Sequence, residues 1–189
     1  MKDQMKKEYK NLMITDHDEM ECEILGIARL ELKVGLKWFA EDVDEKGAKG
    51  VYFYGIDQKK PENELASFEF YDVTEDPEEL DTTQMNEGEL SNFSAFAQNA
   101  IGKQLDLVAW GDWFTIDLKG GIRAFGVKYK VNEPTVGIRS VYSLRTTYKN
   151  KKYCALFQVN DKELGFLRFY KFLKQALEGI EFFDKAKLH

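Results

Sequence analysis

The chain is predicted to be an α+β protein: an antiparallel β-sheet of about six to eight strands with helices packed on it, including an amphipathic C-terminal helix. Three observations lead there. Period-two alternation recurs along the chain, strands come in runs joined by short turns, and helical spacing is confined to segments at the start, middle and end.

Taken in order, Met5, Tyr9, Leu12 and Met13 fall at helical spacing with lysines between them, which predicts a loose amphipathic helix over residues 1–15. From Glu21 to Lys33 the pattern turns to period two, with Cys22, Ile24, Gly26, Ala28, Leu30 and Leu32 on one face, and this reads as one half-buried strand. Val51 to Ile56 and Ala66 to Val73 are rich in aromatic and β-branched residues and are expected beside it. Gly47, Gly50 and Pro61 punctuate the connections.

Residues 75 to 89 carry Glu75, Asp76, Glu78, Glu79, Asp81, Glu87 and Glu89 with no base, and Pro77 and Gly88 lie in the run, so a solvated loop is expected. A helix follows, with Leu90, Phe93, Ala97 and Ile101 on one face and Leu105 as an extension. Leu107–Trp110 and Trp113–Leu118 read as two strands, closed by a Lys119-Gly120-Gly121 turn. The return strand sends Arg123, Phe125, Val127, Tyr129 and Val131 to one face. A second hairpin joins Ile138–Tyr148 to Lys152–Val159 across Lys149-Asn150-Lys151. Last, Asn160 and Glu163 form a capping box before a stripe of Phe166, Tyr170, Leu173, Leu177 and Ile180, a helix apolar enough to need a sheet beneath it.

No linker or repeat divides the 189 residues, so one domain is expected over 1–189, with 43% hydrophobic content to fill a core. Cys22 and Cys154 belong to no CxxC pair and are expected as buried thiols. The charged N-terminus lacks the apolar stretch of a signal peptide, and no segment approaches a membrane span, so a cytoplasmic location is expected. Residues 1–95 hold 24 acids against 11 bases, whereas residues 96–189 hold 9 against 16, and the whole chain is at −6. A folded domain interleaves such halves, so they are expected to neutralise one another internally.

The order of elements, together with Gly121–Tyr129, Arg139–Leu144, Lys152–Leu156 and the Phe169–Leu173 to Phe183 ending, resembles the fold family of PsbP and the DcrB-like proteins. That family has N-terminal strands, a helix, a long antiparallel meander and a closing helix. At the N-terminus the chain has Val34-Gly35-Leu36-Lys37-Trp38, with the Gly and Trp but not the Pro of the family turn. The resemblance implies a binding or adaptor protein without an active site.

The residues themselves give little sign of catalysis. Asp16-His17-Asp18-Glu19 sets a histidine among carboxylates, which suits half of a metal site or a general base, and equally a solvated turn. Asp42, Asp44 and Gly47 resemble the start of a calcium loop, but Lys46 and Phe53 stand where ligands are needed, so a flexible acidic turn is expected. No phosphate-cradling glycine loop is present, and His17 as the single internal histidine leaves a nucleophile without a standard base. Lys149, Lys151 and Lys152 with Tyr148 and Tyr153 are read as a solubilising hairpin tip rather than a nucleic-acid contact.

Trp110-Gly111-Asp112-Trp113 places two indoles around a turn or bulge. One reading makes them interface anchors, the other packs both under the C-terminal helix. The sequence thus predicts a non-enzymatic protein-binding module, such as an adaptor, chaperone or immunity-type inhibitor, with no cofactor, no metal, no nucleic acid and no membrane among its partners. Its binding residues are expected among Trp110, Asp112, Trp113, Glu75, Asp76, Glu78 and Glu79. The alternative is a small-molecule binder or carboxylate-based hydrolase with a pocket between helix and sheet.

Overall fold

The computed structural model describes residues 20–25, 27–32, 37–45, 48–57, 60–160 and 176–183. Its first two strands, β1 (Met20–Ile24) and β2 (Ala28–Leu32), pair antiparallel from Met20↔Leu32 to Ile24↔Ala28. The period-two run expected as one strand is therefore a tight hairpin. Alternation continues through a short turn without changing phase, so the sequence pattern hides the reversal, and Leu25 takes a left-handed φ of 49° to make it.

Seven further strands form the main sheet: β3 (Lys37–Glu45), β4 (Ala48–Asp57), β5 (Lys60–Asp72), β6 (Asp106–Leu118), β7 (Ile122–Glu133), β8 (Gly137–Tyr148) and β9 (Lys151–Asn160). Their order is β3-β4-β5-β9-β8-β7-β6, antiparallel throughout. The neighbour of β4 on its outer side is β3, not the first hairpin. Asp42 and Asp44, expected in a flexible turn, lie on β3 opposite Val51 and Lys49. Pro61 sits inside β5 where the register to β4 slips, a place where a residue without an N–H costs no ladder bond.

The one long helix among the described residues, α1 (Glu87–Gln104), connects β5 in the interior of the sheet to β6 at its edge, so it has to cross β9, β8 and β7 on one face. Asn86 and Glu89 start it with a reciprocal capping box, at 2.8 and 3.1 Å, so its first three residues fall inside what the sequence suggested was loop. The predicted stripe holds: Leu90, Phe93 and Ala97 are buried and Ile101 is half-buried, while Leu105 caps the end and is exposed.

Downstream, β6 is one strand rather than two. Two register shifts against β7 each admit an extra residue, so Leu107, Trp110 and Trp113, spaced by three, oppose Val131, Tyr129 and Val127 on one face. Gly111 fits the second bulge because a Cβ there would stand 3.0 Å from the Lys128 carbonyl oxygen. Gly120 and Gly121, at φ 90° and 76°, turn the chain into β7. Lys149 and Asn150, at 50° and 62°, make a two-residue turn into β9, which leaves Lys151 in the strand opposite Tyr148.

Of the expected C-terminal helix, residues 161–175 lie outside the described residues, as does the N-terminal helix expected over 1–15. Residues 176–178 are helical and bury Ala176 and Leu177. The helix ends before Ile180, the last residue of the expected stripe, because after Gly179 the chain extends into β10 (Glu181–Phe182), which pairs with β2. Asn160 ends β9, with its Nδ2 donating to the Val136 carbonyl at 3.5 Å. Glu181 binds Arg29 at 3.0 Å and Lys119 at 2.6 Å, tying the small sheet to the β6–β7 turn.

Two cores result, one on each face of the main sheet. Leu90 and Phe93 of α1 pack on Phe125, Val127, Tyr129, Val131 and Val141. On the opposite face Phe68, Phe70, Leu144 and Phe157 meet Leu177, Ile180 and Phe182. Phe157 is fully buried on β9 and its ring meets Phe68 at 6.2 Å. Phe157→Ala is expected to cost about 3–5 kcal/mol, read as a lower urea midpoint with an unchanged slope.

Candidate functional site

The acidic segment after β5 is not a solvated loop. Val73 N donates to Lys152 O at 2.9 Å and prolongs the β5–β9 ladder by one bond. Beyond it the chain folds down over β8 and β9, because the bases that the acidic half lacks are on those strands. Arg145 Nε donates to both carboxylate oxygens of Glu79, at 3.2 and 3.0 Å. Thr147 Oγ1 donates to Asp81 at 2.7 Å, and Lys152 Nζ donates to the carbonyls of Asp76 and Glu79 at 3.2 and 2.5 Å. Lys151 Nζ reaches Asp72 at 3.0 Å. The internal neutralisation expected of the two halves takes this form, and the lysine-rich hairpin supplies part of it.

Local turns complete the loop. Asp76 accepts from Glu78 N at 2.9 Å, and Asp81 accepts from Thr83 N at 3.0 Å and opens a 3₁₀ turn over Thr82–Gln84. Val73 and Thr82 are buried at its two ends. Between them Glu75 and Glu78 are exposed, Asp76 is half-buried, and Leu80 is 50% exposed.

Beneath the loop, Ser143, Arg145 and Thr147 alternate along β8, opposite Leu156, Cys154 and Lys152 of β9, so all share the face that α1 covers. Arg145 also donates from Nη1 to Ser143 Oγ at 3.1 Å and lies 5.5 Å from the Phe93 ring centre. Burial works against its charge, but the Cys154 sulfur and the Glu79 carboxylate outweigh it and hold the guanidinium above its ordinary range. The same burial pushes the Cys154 thiol up to about 11, against the opposing pull of Arg145. At neutral pH it is a protonated thiol and no nucleophile. Farther along this face Glu69 accepts from Tyr71 at 2.6 Å and from Gln158 at 2.5 Å, an inward carboxylate that the sequence reading did not single out. Its signal was the period of two: Glu69 shares a face with Tyr71, not with Phe68 and Phe70.

The tryptophan pair lies elsewhere on the face. Both indoles are half-buried and pack under α1, whereas Leu177, Ile180 and Phe182 belong to the core on the other face. Trp110 stacks on Tyr129 at 5.2 Å and donates to Ser94 Oγ at 3.2 Å, while Trp113 stacks on Phe125 at 6.3 Å. Asp112, in the bulge between them, is exposed. Among the described residues a chain of contacts links the pair to the acidic loop, through Glu79–Arg145, Arg145–Phe93, Phe93–Phe125 and Phe125–Trp113. His17 and the side chain of Cys22 lie outside the described residues. A cleft between Phe70, Leu118, Leu144, Tyr153, Ile180 and Phe182 is on the face turned away from α1, and its lining is apolar with the exception of Thr146 and the Tyr153 hydroxyl.

Compared with known proteins, the chain is similar in structure to cyanobacterial PsbP (CyanoP) from Synechocystis, with a TM-score of 0.57 at 13% identity, covering 88% of this chain and 93% of that one. PA94 from Pseudomonas aeruginosa, a protein of unknown function, superimposes with a TM-score of 0.44 at 12% identity over 86% of this chain and 95% of that one. LpqN of Mycobacterium tuberculosis, involved in cell envelope biogenesis, gives 0.41 at 10% identity over 79% and 86%. No protein-family model matches the chain, and no curated protein matches its sequence. The chain therefore has the PsbP/DcrB-like fold that its order of elements suggests.

Two outcomes follow from these environments. Burial pushes the carboxyls of Asp72 and Asp81 up, but hydrogen bonds from Thr74 and Lys151 to the first, and from Thr83 and Thr147 to the second, bring both below the ordinary 3.8. Their contribution is complete above 3.8 and is lost as the pH falls further through the folded values. Amide-exchange protection of residues 73–83, taken relative to the intrinsic rate at each pH, is thus expected to fall below about pH 4 before that of β8 and β9. The peptide containing Cys154 is expected to resist alkylation by iodoacetamide at pH 8 in the folded protein and to react on unfolding; rapid labelling of the native chain would contradict the buried, protonated thiol.

Proposed function

We propose that this chain is a non-enzymatic protein-binding module, of adaptor, chaperone or inhibitor type, which docks its partner on the outer side of the acidic loop. The observation that carries this reading is the division of the loop into two sides. Glu79, Asp81 and the carbonyls of Asp76 and Glu79 are engaged inward, while Glu75, Glu78 and Leu80 point outward. A segment anchored at its two buried ends, Val73 and Thr82, presents its outer carboxylates and its leucine together on one side. An apolar side chain among acids suits a partner whose apolar patch is rimmed by Lys or Arg, with the charges setting association rate and salt dependence. The Trp110–Trp113 pair has a different part in this reading: it anchors α1, and through α1 the floor on which the loop lies.

The test is a pull-down from the native cell lysate at low and high salt with mass spectrometry of the retained proteins. The wild-type chain is expected to retain a discrete protein partner at low salt and to release it at high salt. Glu75→Lys with Glu78→Lys reverses two exposed charges without touching the inner contacts, and is expected to abolish that capture while leaving the melting temperature unchanged. Retention of the same partner by the double variant would remove the loop from the account.

A further inference from the structure

We propose that the floor beneath the acidic loop is a binding site for an acidic peptide, and that the loop is its built-in competitor. The floor is polar and basic where a sheet face under a loop would ordinarily be apolar. It consists of Ser143, Arg145 and Thr147 on β8 and Lys152 on β9, side by side in register. What covers it has the chemistry of a peptide ligand: two carboxylates two residues apart, Glu79 and Asp81, and backbone carbonyls that take Lys152 Nζ. Each of these contacts is one that an acidic segment from another chain can make in the same place.

The cover is built to exchange. The contacts of its central stretch with the floor are polar, and such bonds are replaced by water when the segment lifts. Leu80, the large apolar side chain of that stretch, is 50% exposed and does not pin it. Val73 and Thr82 are buried at the two ends and Thr74 Oγ1 accepts from Lys152 N at 3.0 Å, so residues 75–81 can rise as a strap while these attachments stay in place.

Part of the floor's geometry is set from outside the strap. Arg145 is held by Ser143 Oγ at 3.1 Å and by the Phe93 ring, both outside the loop. Glu79 meets the guanidinium at Nε alone, whereas the bidentate fork of an Arg–carboxylate pair uses two nitrogens. Nη1 is committed to Ser143, Nη2 makes no hydrogen bond, and the side chain is 16% exposed. An incoming carboxylate that engages Nη2 together with Nε makes the fork that the strap does not. Tethering gives the resident segment a high effective concentration, so in the wild-type chain it masks the site from a weakly binding competitor.

The probe is a fluorescent peptide with the sequence of residues 74–84, Thr-Glu-Asp-Pro-Glu-Glu-Leu-Asp-Thr-Thr-Gln, titrated by anisotropy. Glu79→Gln with Asp81→Asn in the protein removes the competitor's carboxylates and is expected to tighten binding about tenfold or more over wild type. A peptide carrying the same two amides is expected not to bind, and adding Lys152→Gln to the protein is expected to abolish the gain. A folded double variant that binds no better than wild type, or binds the amide peptide equally, overturns the proposal. Should the double variant not fold, amide exchange in the wild-type chain decides. Residues 75–81 are expected to exchange about 100-fold faster than β8 and β9, and exchange as slow as the strands overturns the strap. Glu75 and Glu78 stay intact in the double variant, so its result is separate from the fate of the outer docking surface.

Discussion

Pairing of β5 with β9, from Ala66↔Val159 to Asp72↔Tyr153, joins segments more than eighty residues apart and makes one sheet out of two runs of hairpins. Closing a loop of that length costs entropy before any contact returns it, so both strands have to bury heavily, and Phe68, Phe70 and Phe157 do so. The rest follows from this closure. With β5 interior and β6 at the edge, α1 has to cross the intervening strands, and the chain leaving β5 has to pass over β8 and β9 on its way to the helix.

That path brings the acidic half of the chain onto the basic half. Each half alone carries a surplus that repels itself: 24 acids against 11 bases, and 9 against 16. Glu79–Arg145, Asp72–Lys151 and the Lys152 contacts convert the two surpluses into one neutralised seam beside α1. The cost is a buried guanidinium in the sheet, and such a charge is tolerable only when it is paired and hydrogen-bonded. Glu79, Ser143 and the Phe93 ring meet that condition together.

Where sequence reading and structure part, a geometric event erased the periodic signal. The β1–β2 reversal keeps the phase of alternation, so a hairpin passes for one strand. Two bulges in β6 have the opposite effect: Leu107, Trp110 and Trp113 share a face at a spacing of three, which suggests a break where the strand continues. At the C-terminus, Leu177 and Ile180 fit a helical stripe, yet the free edge of β2 draws Glu181 and Phe182 into a strand. The candidate site was half legible. The acids from Glu75 to Asp81 stand out as a run without bases, but nothing local tells Glu75 from Glu79.

The sequence by itself determined the fold class, the α1 stripe, the two glycine- and asparagine-bearing turns, and the opposite charges of the two halves. These rest on spacing between near neighbours, and a hydrophobic period or a turn residue acts within a few positions of itself. Only the tertiary structure decided which carboxylates are bound inward and which face solvent. That choice depends on Arg145, Thr147 and Lys152, more than sixty residues downstream, and on the register of β8 against β9 that sets them side by side under the loop.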